Sequence, residues 1–201
     1  MQSTRMITYA TTCLFFAVFL VAVAMVRPAA AASVTASVDD FSDPQLSSLG
    51  APRFFMTDAS AGGGTTLLHS IEDGVLMASG TIEPPRGQPG WASMALLLEP
   101  QGQPMDASEF EGIRLKIRIN KGNLSVSANS AQIENFDFHA ATVSRQHDDG
   151  FHEVRIPFSS MKRAWSEQTP LDTATLASVS LVAYDLKPGA FDFEVEEVGF
   201  Y

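Results

Sequence analysis

Apolar and polar residues alternate with a period of two along much of the chain. Over residues 113–119, Ile and Leu side chains alternate with Arg and Lys, and over residues 124–129 apolar side chains alternate with Ser and Asn. A period of two places neighbouring side chains on opposite faces of a strand, so each stretch is predicted to be a half-buried strand. Residues 120–123, which include Gly122, are predicted to form the turn between them.

A shorter alternation covers residues 136–140. We expect Phe136 and Phe138 to face the core, and Asp137 and His139 to face the opposite side. The other predicted strands cover residues 74–82, 91–99, 154–158, 177–186 and 191–200.

The last predicted strand changes its apolar phase at Glu196 and Glu197, which predicts a β-bulge. Short helical turns are predicted only near residues 106–110 and 159–165, and residues 59–66 are predicted to form a flexible loop. Many short strands separated by Gly and Pro turns are typical of a sandwich or a barrel. The predicted fold class is therefore all-β.

The first 32 residues have the three zones of a secretory signal peptide. A short segment containing Arg5 precedes an apolar run over residues 11–26, and small residues follow Arg27. The apolar run is shorter than the roughly 20 residues that span a bilayer, which favours cleavage after Ala32 over retention as an anchor. The sequence therefore predicts an exported protein, periplasmic or secreted, with no membrane span after cleavage and a single domain over residues 33–201.

The charge of the chain limits its partners. The 201 residues carry 13 Lys and Arg against 23 Asp and Glu. Residues 1–32 hold two Arg and no acid, so the exported part would have 11 basic residues, a net charge of −12 and no cysteine. Phosphate binding needs clustered Lys and Arg, so nucleic acid is excluded as a partner. The single Cys13 also excludes a disulfide framework.

Candidate catalytic groups are few. The sequence has no Gly-x-Ser-x-Gly motif. With 23 acids, some pair of carboxylates always has the separation of a glycosidase site, so such a pair is weak evidence for that activity. The densest group of potential metal ligands is His139, His147 and His152 with Asp148 and Asp149. Their spacing matches no established metal motif, and a polar hairpin turn accounts for them better.

We expect no resident cofactor, with a structural calcium ion as the one alternative, because hard oxygen ligands are plentiful. Asp39 and Asp40 lie near the start of the exported chain and Glu196 lies near its end. These carboxylates would approach one another if the terminal strands are neighbours. A solvated acidic surface is the competing interpretation.

A ligand-binding sheet face is the stronger hypothesis. On the predicted alternation, one set of polar residues projects away from the core: Arg114, Lys116, Arg118, Ser125, Ser127, Asn129, Asp137 and His139. Such a face can hydrogen-bond a polyol if an aromatic platform lies beside it. The candidate platforms are Trp91, Trp165 and Tyr184. We expect Arg114, Asp137, His139 and Trp165 to contact the ligand, and an ordinary solvated sheet face is the alternative.

Several different short motifs follow one another along the chain in a defined order. Residues 39–41 resemble D-D-F, Asp58 with residues 63–66 resembles D-x-x-x-G-G-x-S with Thr in place of Ser, and residues 110–113 resemble y-x-G-I. Residues 150–158 resemble W-x-x-V-x-I-P-F, and residues 187–195 resemble D-K-x-G-P-F-x-L-E-I. Together they resemble the complex I intermediate-associated protein 30 family. Phe151 and Ala190 stand where that family has Trp and Pro, as in a distant member.

The resemblance implies a galactose-binding-like, jelly-roll antiparallel β-sandwich without catalytic residues. The mitochondrial members of the family are non-enzymatic assembly factors for respiratory complex I, which implies a module that contacts protein partners in the cell envelope. The alternative is a carbohydrate-binding module that recognises envelope or extracellular glycans. Fold alone leaves both hypotheses open.

Overall fold

The computed structural model describes residues 36–146 and 148–201, so the predicted signal peptide and His147 lie outside the described residues. The strands are β1 (Ala36–Asp39), β2 (Arg53–Thr57), β3 (Thr66–Glu72), β4 (Val75–Ile82), β5 (Gly90–Leu97), β6 (Gly112–Lys121), β7 (Asn123–Ser130), β8 (His139–Val143), β9 (His152–Pro157), β10 (Leu176–Asp185) and β11 (Gly189–Phe200). Three short 3₁₀ turns cover Asp58–Ala61, Phe158–Ser160 and Thr173–Thr175. Within the described ranges, no helix is long and apolar enough to cross a membrane.

These strands form two antiparallel sheets. The six-stranded sheet has the order β3-β4-β11-β6-β9, with β1 also paired to β11, and the five-stranded sheet has the order β2-β5-β10-β7-β8. The inward sides of both sheets bury one core of Ile, Leu, Val and Phe, in which Leu115 and Leu181 are fully enclosed. Two antiparallel sheets around one core make a β-sandwich, which confirms the all-β prediction.

The stretches at residues 113–119 and 124–129 are strands, as predicted, whereas within residues 136–140 only residues 139 and 140 lie in a strand, β8. The register of β11 against β6 shifts between Val195 and Glu197, which confirms the predicted bulge. β9, which ends at Pro157, lies at a sheet edge, where a residue without an N–H is tolerated. The sequence pattern missed β1, β2 and β3, and no helix forms over residues 106–110.

The turn between β6 and β7 does not make a hairpin. β6 belongs to the six-stranded sheet and β7 to the five-stranded sheet, so the chain crosses between sheets at Gly122, whose φ is 82°. A Cβ at Gly122 would lie 2.9 Å from the Cβ of Phe191, so both the backbone conformation and the space require glycine.

This crossing corrects the predicted ligand-binding face. The inward sides of β6 and β7 face each other across the core, so their outward sides lie on opposite surfaces of the sandwich. Arg114, Lys116 and Arg118 therefore do not share a face with Ser125 and Ser127. A period of two fixes which side chains leave the core, but it does not say which sheet a strand joins.

Candidate functional site

The outward face of the six-stranded sheet carries a ladder of ion pairs. Three bases on β6 each contact an acid on β11: Arg114 with Glu197, Lys116 with Glu196, and Arg118 with Glu194. The hydrogen bonding that Arg114 donates to the Glu197 carboxylate is the main cause of the raised pKa of Arg114. Cross-strand pairs of opposite charge stabilise a sheet, so these bases already have partners within the fold. The predicted ligand residue Arg114 lies on this face.

Asp137 and His139 point into the protein and not away from it. Each is only 1% exposed, whereas Phe136 is 80% exposed. The alternation over residues 136–140 is therefore the inverse of the predicted one. His139 lies opposite Ala128 on the core side of the five-stranded sheet, and its Nε2 is 2.7 Å from the carbonyl oxygen of Thr169. It has no exposed ring to offer a ligand.

The buried Asp137 carboxylate joins two loops, residues 131–138 and 162–170, which we call the loop clasp. It accepts hydrogen bonds from the backbone N–H groups of Ala164 (2.7 Å), Trp165 (3.1 Å) and Ser166 (2.6 Å). Burial acts to raise the pKa of Asp137, but the hydrogen bonds from Ser166, Ala164 and Trp165 together lower that pKa below its ordinary value. These three charge-assisted hydrogen bonds stabilise the fold more than burial of the Phe136 ring would. Asp137 therefore points inward and Phe136 outward, the inverse of the predicted alternation.

The proposed calcium ligands are not brought together. β1 pairs with β11, as that hypothesis required, but Asp39 faces the core and binds Arg53. Glu196 lies on the outer ladder with Lys116, and Asp40 accepts hydrogen bonds from two nearby serines. Within residues 36–146 and 148–201, no group of three or more His, Cys, Asp or Glu side chains could hold a metal ion. Asp39, Asp40 and Glu196 therefore do not form the predicted calcium site.

The acidic segment near residue 148 forms a turn, as expected. The backbone N–H of Gly150 donates to Asp148 Oδ1 at 2.9 Å, and the same oxygen lies 2.5 Å from Nε2 of His152. The hydrogen bond from Gly150, and after it the one from His152, lowers the pKa of Asp148. The described part of this segment thus consists of a capped turn beside a half-buried strand histidine.

The outward face of the five-stranded sheet is lined mainly by short polar side chains, with the apolar Val182 between Ser93 and Ser125. Cross-strand register places Ala95, Ser180 and Ser127 in one row and Ser178 beside Asn129 in another. We call this surface the serine face; its members are Ser93, Ala95, Ser125, Ser127, Asn129, Ser178 and Ser180. All except Ser125 are less than one-tenth exposed, although they point away from the core.

Asn129 organises the serine face. Its Nδ2 donates to Ser178 Oγ (2.9 Å) and Ser180 Oγ (2.8 Å), while Ser127 Oγ donates to its Oδ1 at 2.8 Å. Both amide donors are satisfied in this way. Ser178 and Ser180 accept through their oxygen atoms, so each hydroxyl hydrogen is left to donate to another group.

Longer side chains surround the serine face. Trp91 and Tyr184 are cross-strand neighbours at one end, and Leu97 lies at the other end, all three half-buried. Phe54 and Met56 line the side formed by the edge strand β2 and are 45% and 48% exposed. Because the central residues are short and the surrounding ones are long, the centre of the face lies below its rim.

A buried carboxylate anchors Trp91. The backbone N–H of Trp91 donates to Asp58 Oδ2 at 3.1 Å, and Thr65 donates to the same carboxylate through its hydroxyl (2.7 Å) and its N–H (3.2 Å). A Cβ at Gly63 would lie 2.2 Å from Cγ of Asp58, so the carboxylate occupies the space of a side chain there. The segment predicted to be a flexible loop is thus organised around Asp58. The signal for it was the D-x-x-x-G-G-x-S-like motif.

Trp165 lies apart from the other two aromatic residues. It is 71% exposed on the loop clasp, which adjoins the His139 end of β8. His139 pairs with Ala128 near one end of β7, whereas Tyr184 pairs with Asn123 at the other end. The structure therefore places the predicted platforms at two separate positions.

One cavity of about 500 Å³ adjoins the second loop of the clasp. Its lining residues are Phe158, Ser159, Met161, Lys162, Gln168, Thr169, Pro170 and Leu171. Lys162 is the one ionisable side chain in this lining. A catalytic acid–base pair needs two titratable groups that converge, and this cavity offers one.

Solved structures with this arrangement of sheets include carbohydrate-binding modules. The family 11 module of the cellulosomal cellulase Lic26A-Cel5E of Clostridium thermocellum superposes with a TM-score of 0.60 at 18% identity, covering 84% of this chain and 95% of that one. The family 11 module from the same organism in complex with a β-1,3-1,4-mixed-linked tetrasaccharide gives 0.59 at 18% identity, with coverages of 83% and 94%. The family 30 module of the cellulase Cel9D-Cel44B, also from Clostridium thermocellum, gives 0.51 at 13% identity, with coverages of 84% and 97%.

These similarities, together with the two antiparallel sheets, show the fold, a jelly-roll β-sandwich of the galactose-binding-like type, as predicted. The sequence profile of the Complex I intermediate-associated protein 30 family matches residues 41–195. The match covers most of the chain, so the protein belongs to this family, and the resemblance seen in the motifs is confirmed. No curated protein sequence matches the chain.

Proposed function

We propose that the protein is an exported, non-catalytic binding module that holds a neutral glycan against its serine face. The observation that carries this proposal is the combination of serine hydroxyls on the sheet with the Trp91–Tyr184 pair at its end. Hydroxyl groups donate and accept, as a polyol requires, and aromatic faces pack against the apolar faces of sugar rings. The carbohydrate-binding modules of the same fold support this choice of ligand class.

The charge of the chain favours a neutral glycan. The chain has a formal net charge of −10, and the exported part would have −12. Polyanionic glycans would be repelled by this charge. On the six-stranded sheet, the bases of the ion-pair ladder are held by their acidic partners, so they offer no cationic groove.

A non-catalytic role fits the titratable groups. The lowered pKa values of Asp40 and Asp137 have their causes in hydrogen bonds from serines and from backbone N–H groups of turns and loops. That of Asp148 is caused by hydrogen bonds from the Gly150 N–H and from His152. Perturbed pKa values mark catalytic sites only when the groups converge in a cleft. These three carboxyl groups lie in separate turns and loops, and the cavity beside the clasp contains Lys162 alone among ionisable residues.

Contact with a protein partner is the second candidate. The edge strand β2 exposes Phe54 and Met56, and the preceding segment exposes 42% of Leu46. An exposed edge strand with apolar side chains can pair with an extended segment of another protein. The description of the family as associated with a complex I intermediate supports this alternative.

Affinity gel electrophoresis distinguishes the two candidates. The purified protein is run in gels that contain mixed-linked β-1,3-1,4-glucan, hydroxyethyl cellulose, agarose or the anionic polygalacturonate. We expect retardation by a neutral polysaccharide and none by polygalacturonate. Ala95→Leu, which fills the middle of the serine face, should abolish the retardation, while Leu68→Ala on the outward face of the six-stranded sheet should preserve it.

Circular dichroism and thermal unfolding verify that each variant is folded. If the folded protein binds none of the neutral polysaccharides, the glycan proposal is rejected. Retardation that survives Ala95→Leu unchanged places the ligand away from the serine face and equally rejects the proposed site.

Export needs its own experiment. Intact-mass spectrometry of protein from the extracytoplasmic fraction should give the mass of residues 33–201, with Ser33 as the first residue. A mass that retains residues 1–32 would instead support the uncleaved anchor.

A further inference from the structure

Two large aromatic side chains of the loop clasp are left in solvent. Phe136 is 80% exposed and Trp165 is 71% exposed. Exposed apolar residues are common singly, whereas exposed aromatic residues on adjoining loops are a feature of interaction sites, where aromatic side chains are enriched. The rest of the domain gains no packing from these exposed ring surfaces.

The two loops are fixed to each other by side-chain hydrogen bonds. Asn135 Nδ2 donates to Ser166 Oγ at 2.9 Å, and Arg163 Nη2 donates to Asn135 Oδ1 at 3.1 Å. Arg163 Nε also donates to the carbonyl oxygen of Asp137 at 3.1 Å. With the bonds to the Asp137 carboxylate, these contacts hold the backbones of Phe136 and Trp165 in place before any ligand arrives. Preorganisation of this kind lowers the entropy lost on binding.

The backbone of Phe136 is strained. Its φ is 60°, in the left-handed region that bulky residues rarely adopt. Phe138 supports the ring edge-on, with centroids 6.3 Å apart and an interplanar angle of 83°. A strained, exposed aromatic residue is typical of a position kept for binding.

The surroundings of the two rings indicate the chemistry of the ligand. Glu134 and Glu167 are exposed on the same two loops against one exposed base, Lys162. The guanidinium of Arg163 is already committed to the clasp. This charge disfavours an anionic lipid surface. Aromatic faces flanked by amide and hydroxyl groups, here Asn135 and Ser166, suit a neutral sugar ring.

We propose that Phe136 and Trp165 form a second glycan contact, at the opposite end of β7 from Tyr184. The proposal rests on the proposed function and adds a position outside the serine face. One glycan chain long enough to reach both positions would gain affinity from the second contact.

Fluorescence of single-tryptophan variants tests this contact, since Trp91 and Trp165 are the two tryptophans of the chain. Trp91→Phe leaves Trp165 as the reporter, and Trp165→Phe leaves Trp91. Each is titrated with mixed-linked β-1,3-1,4-glucan, and with hydroxyethyl cellulose and agarose-derived oligosaccharides in parallel. Covering the exposed Trp165 should shift its emission to the blue and protect it from acrylamide.

Phe136→Gly is the companion variant, because glycine adopts a φ of 60° without strain and we expect the variant to fold, which circular dichroism verifies. In the Trp91→Phe background it should weaken the titration of Trp165 by roughly tenfold. Leu186→Ala, which removes a side chain that is 75% exposed elsewhere, should leave the titration unchanged.

The outcomes separate this inference from the proposed function. A response of Trp91 without a response of Trp165 overturns the inference and leaves the serine-face proposal intact. No response of either tryptophan, with no retardation in the gels, rejects both. A blue shift of Trp165 with phosphatidylcholine–phosphatidylglycerol vesicles, but with none of the sugars, overturns the inference in favour of a lipid surface.

Discussion

Arg53 and Asp39 form a two-pronged ion pair between the two sheets. Arg53 Nε lies 2.6 Å from Asp39 Oδ2 and Nη2 lies 2.9 Å from Oδ1, with side-chain exposures of 2% and 0%. β2 belongs to the five-stranded sheet and β1 pairs with the six-stranded sheet, so this contact ties the two layers together. The same guanidinium donates to the carbonyl oxygens of Asp43 and Leu46.

Asp39→Ala should lower the free energy of unfolding by about 3–5 kcal/mol, because it leaves a buried guanidinium without its counter-charge. Urea unfolding measures the change. The double variant Arg53→Met, Asp39→Leu should recover part of the loss but not all of it, since the carbonyls of Asp43 and Leu46 lose their donor. A loss below about 1 kcal/mol for Asp39→Ala would contradict the assigned role.

Gly63→Ala should destabilise the protein by about 1–3 kcal/mol, because the new methyl group would overlap the buried Asp58 carboxylate. Gly64→Ala is the matched control, since its Cβ would meet chiefly the flexible end of Glu83. Thermal unfolding of both variants gives the comparison. Equal losses for the two variants would show that Asp58 is free to move and does not anchor Trp91.

Asp137→Asn should weaken the loop clasp by roughly 2 kcal/mol at pH 7, because an amide replaces an anion that accepts three backbone hydrogen bonds. The pKa of Asp137 is lowered in the folded state. Its contribution is therefore complete above the pKa of the unfolded chain, about 3.9, and is lost as the pH falls through the folded value.

The difference in Tm between the unsubstituted protein and Asp137→Asn should accordingly narrow below about pH 4. Thermal unfolding at pH 7, 4 and 2.5 measures it. Glu134→Gln, an exposed carboxyl group on the same loop, serves as the control and should change Tm little. A Tm difference that stays constant down to pH 2.5 would contradict the role assigned to the ionised Asp137 carboxylate.

Phe136→Gly should stabilise the fold by about 0.5–1 kcal/mol, because it relieves a left-handed backbone and removes an exposed apolar ring. Asp73→Gly is the control, since Asp73 has a φ of 52° but aspartate tolerates that region better. Urea unfolding of both variants is the measurement. A loss of stability in Phe136→Gly would mean that packing against Phe138 outweighs the strain.

Local patterns in the sequence determined much of the sandwich. Alternation gave the inward residues of β6 and β7, and the phase change at Glu196 and Glu197 gave the bulge. These features follow from neighbouring residues alone, because a strand has a period of two and a phase change needs one extra residue. The family motifs gave the class of fold, now supported by the match over residues 41–195.

Contacts between distant residues decided the rest. Which sheet each strand joins depends on pairing across the fold, so β6 and β7 separated and the predicted face was divided. The orientation of Asp137 depended on backbone donors 27 to 29 residues away, and that of Asp39 on Arg53 in the opposite layer. A buried charge points to wherever its hydrogen-bond partners are, and only the tertiary structure brings those partners together.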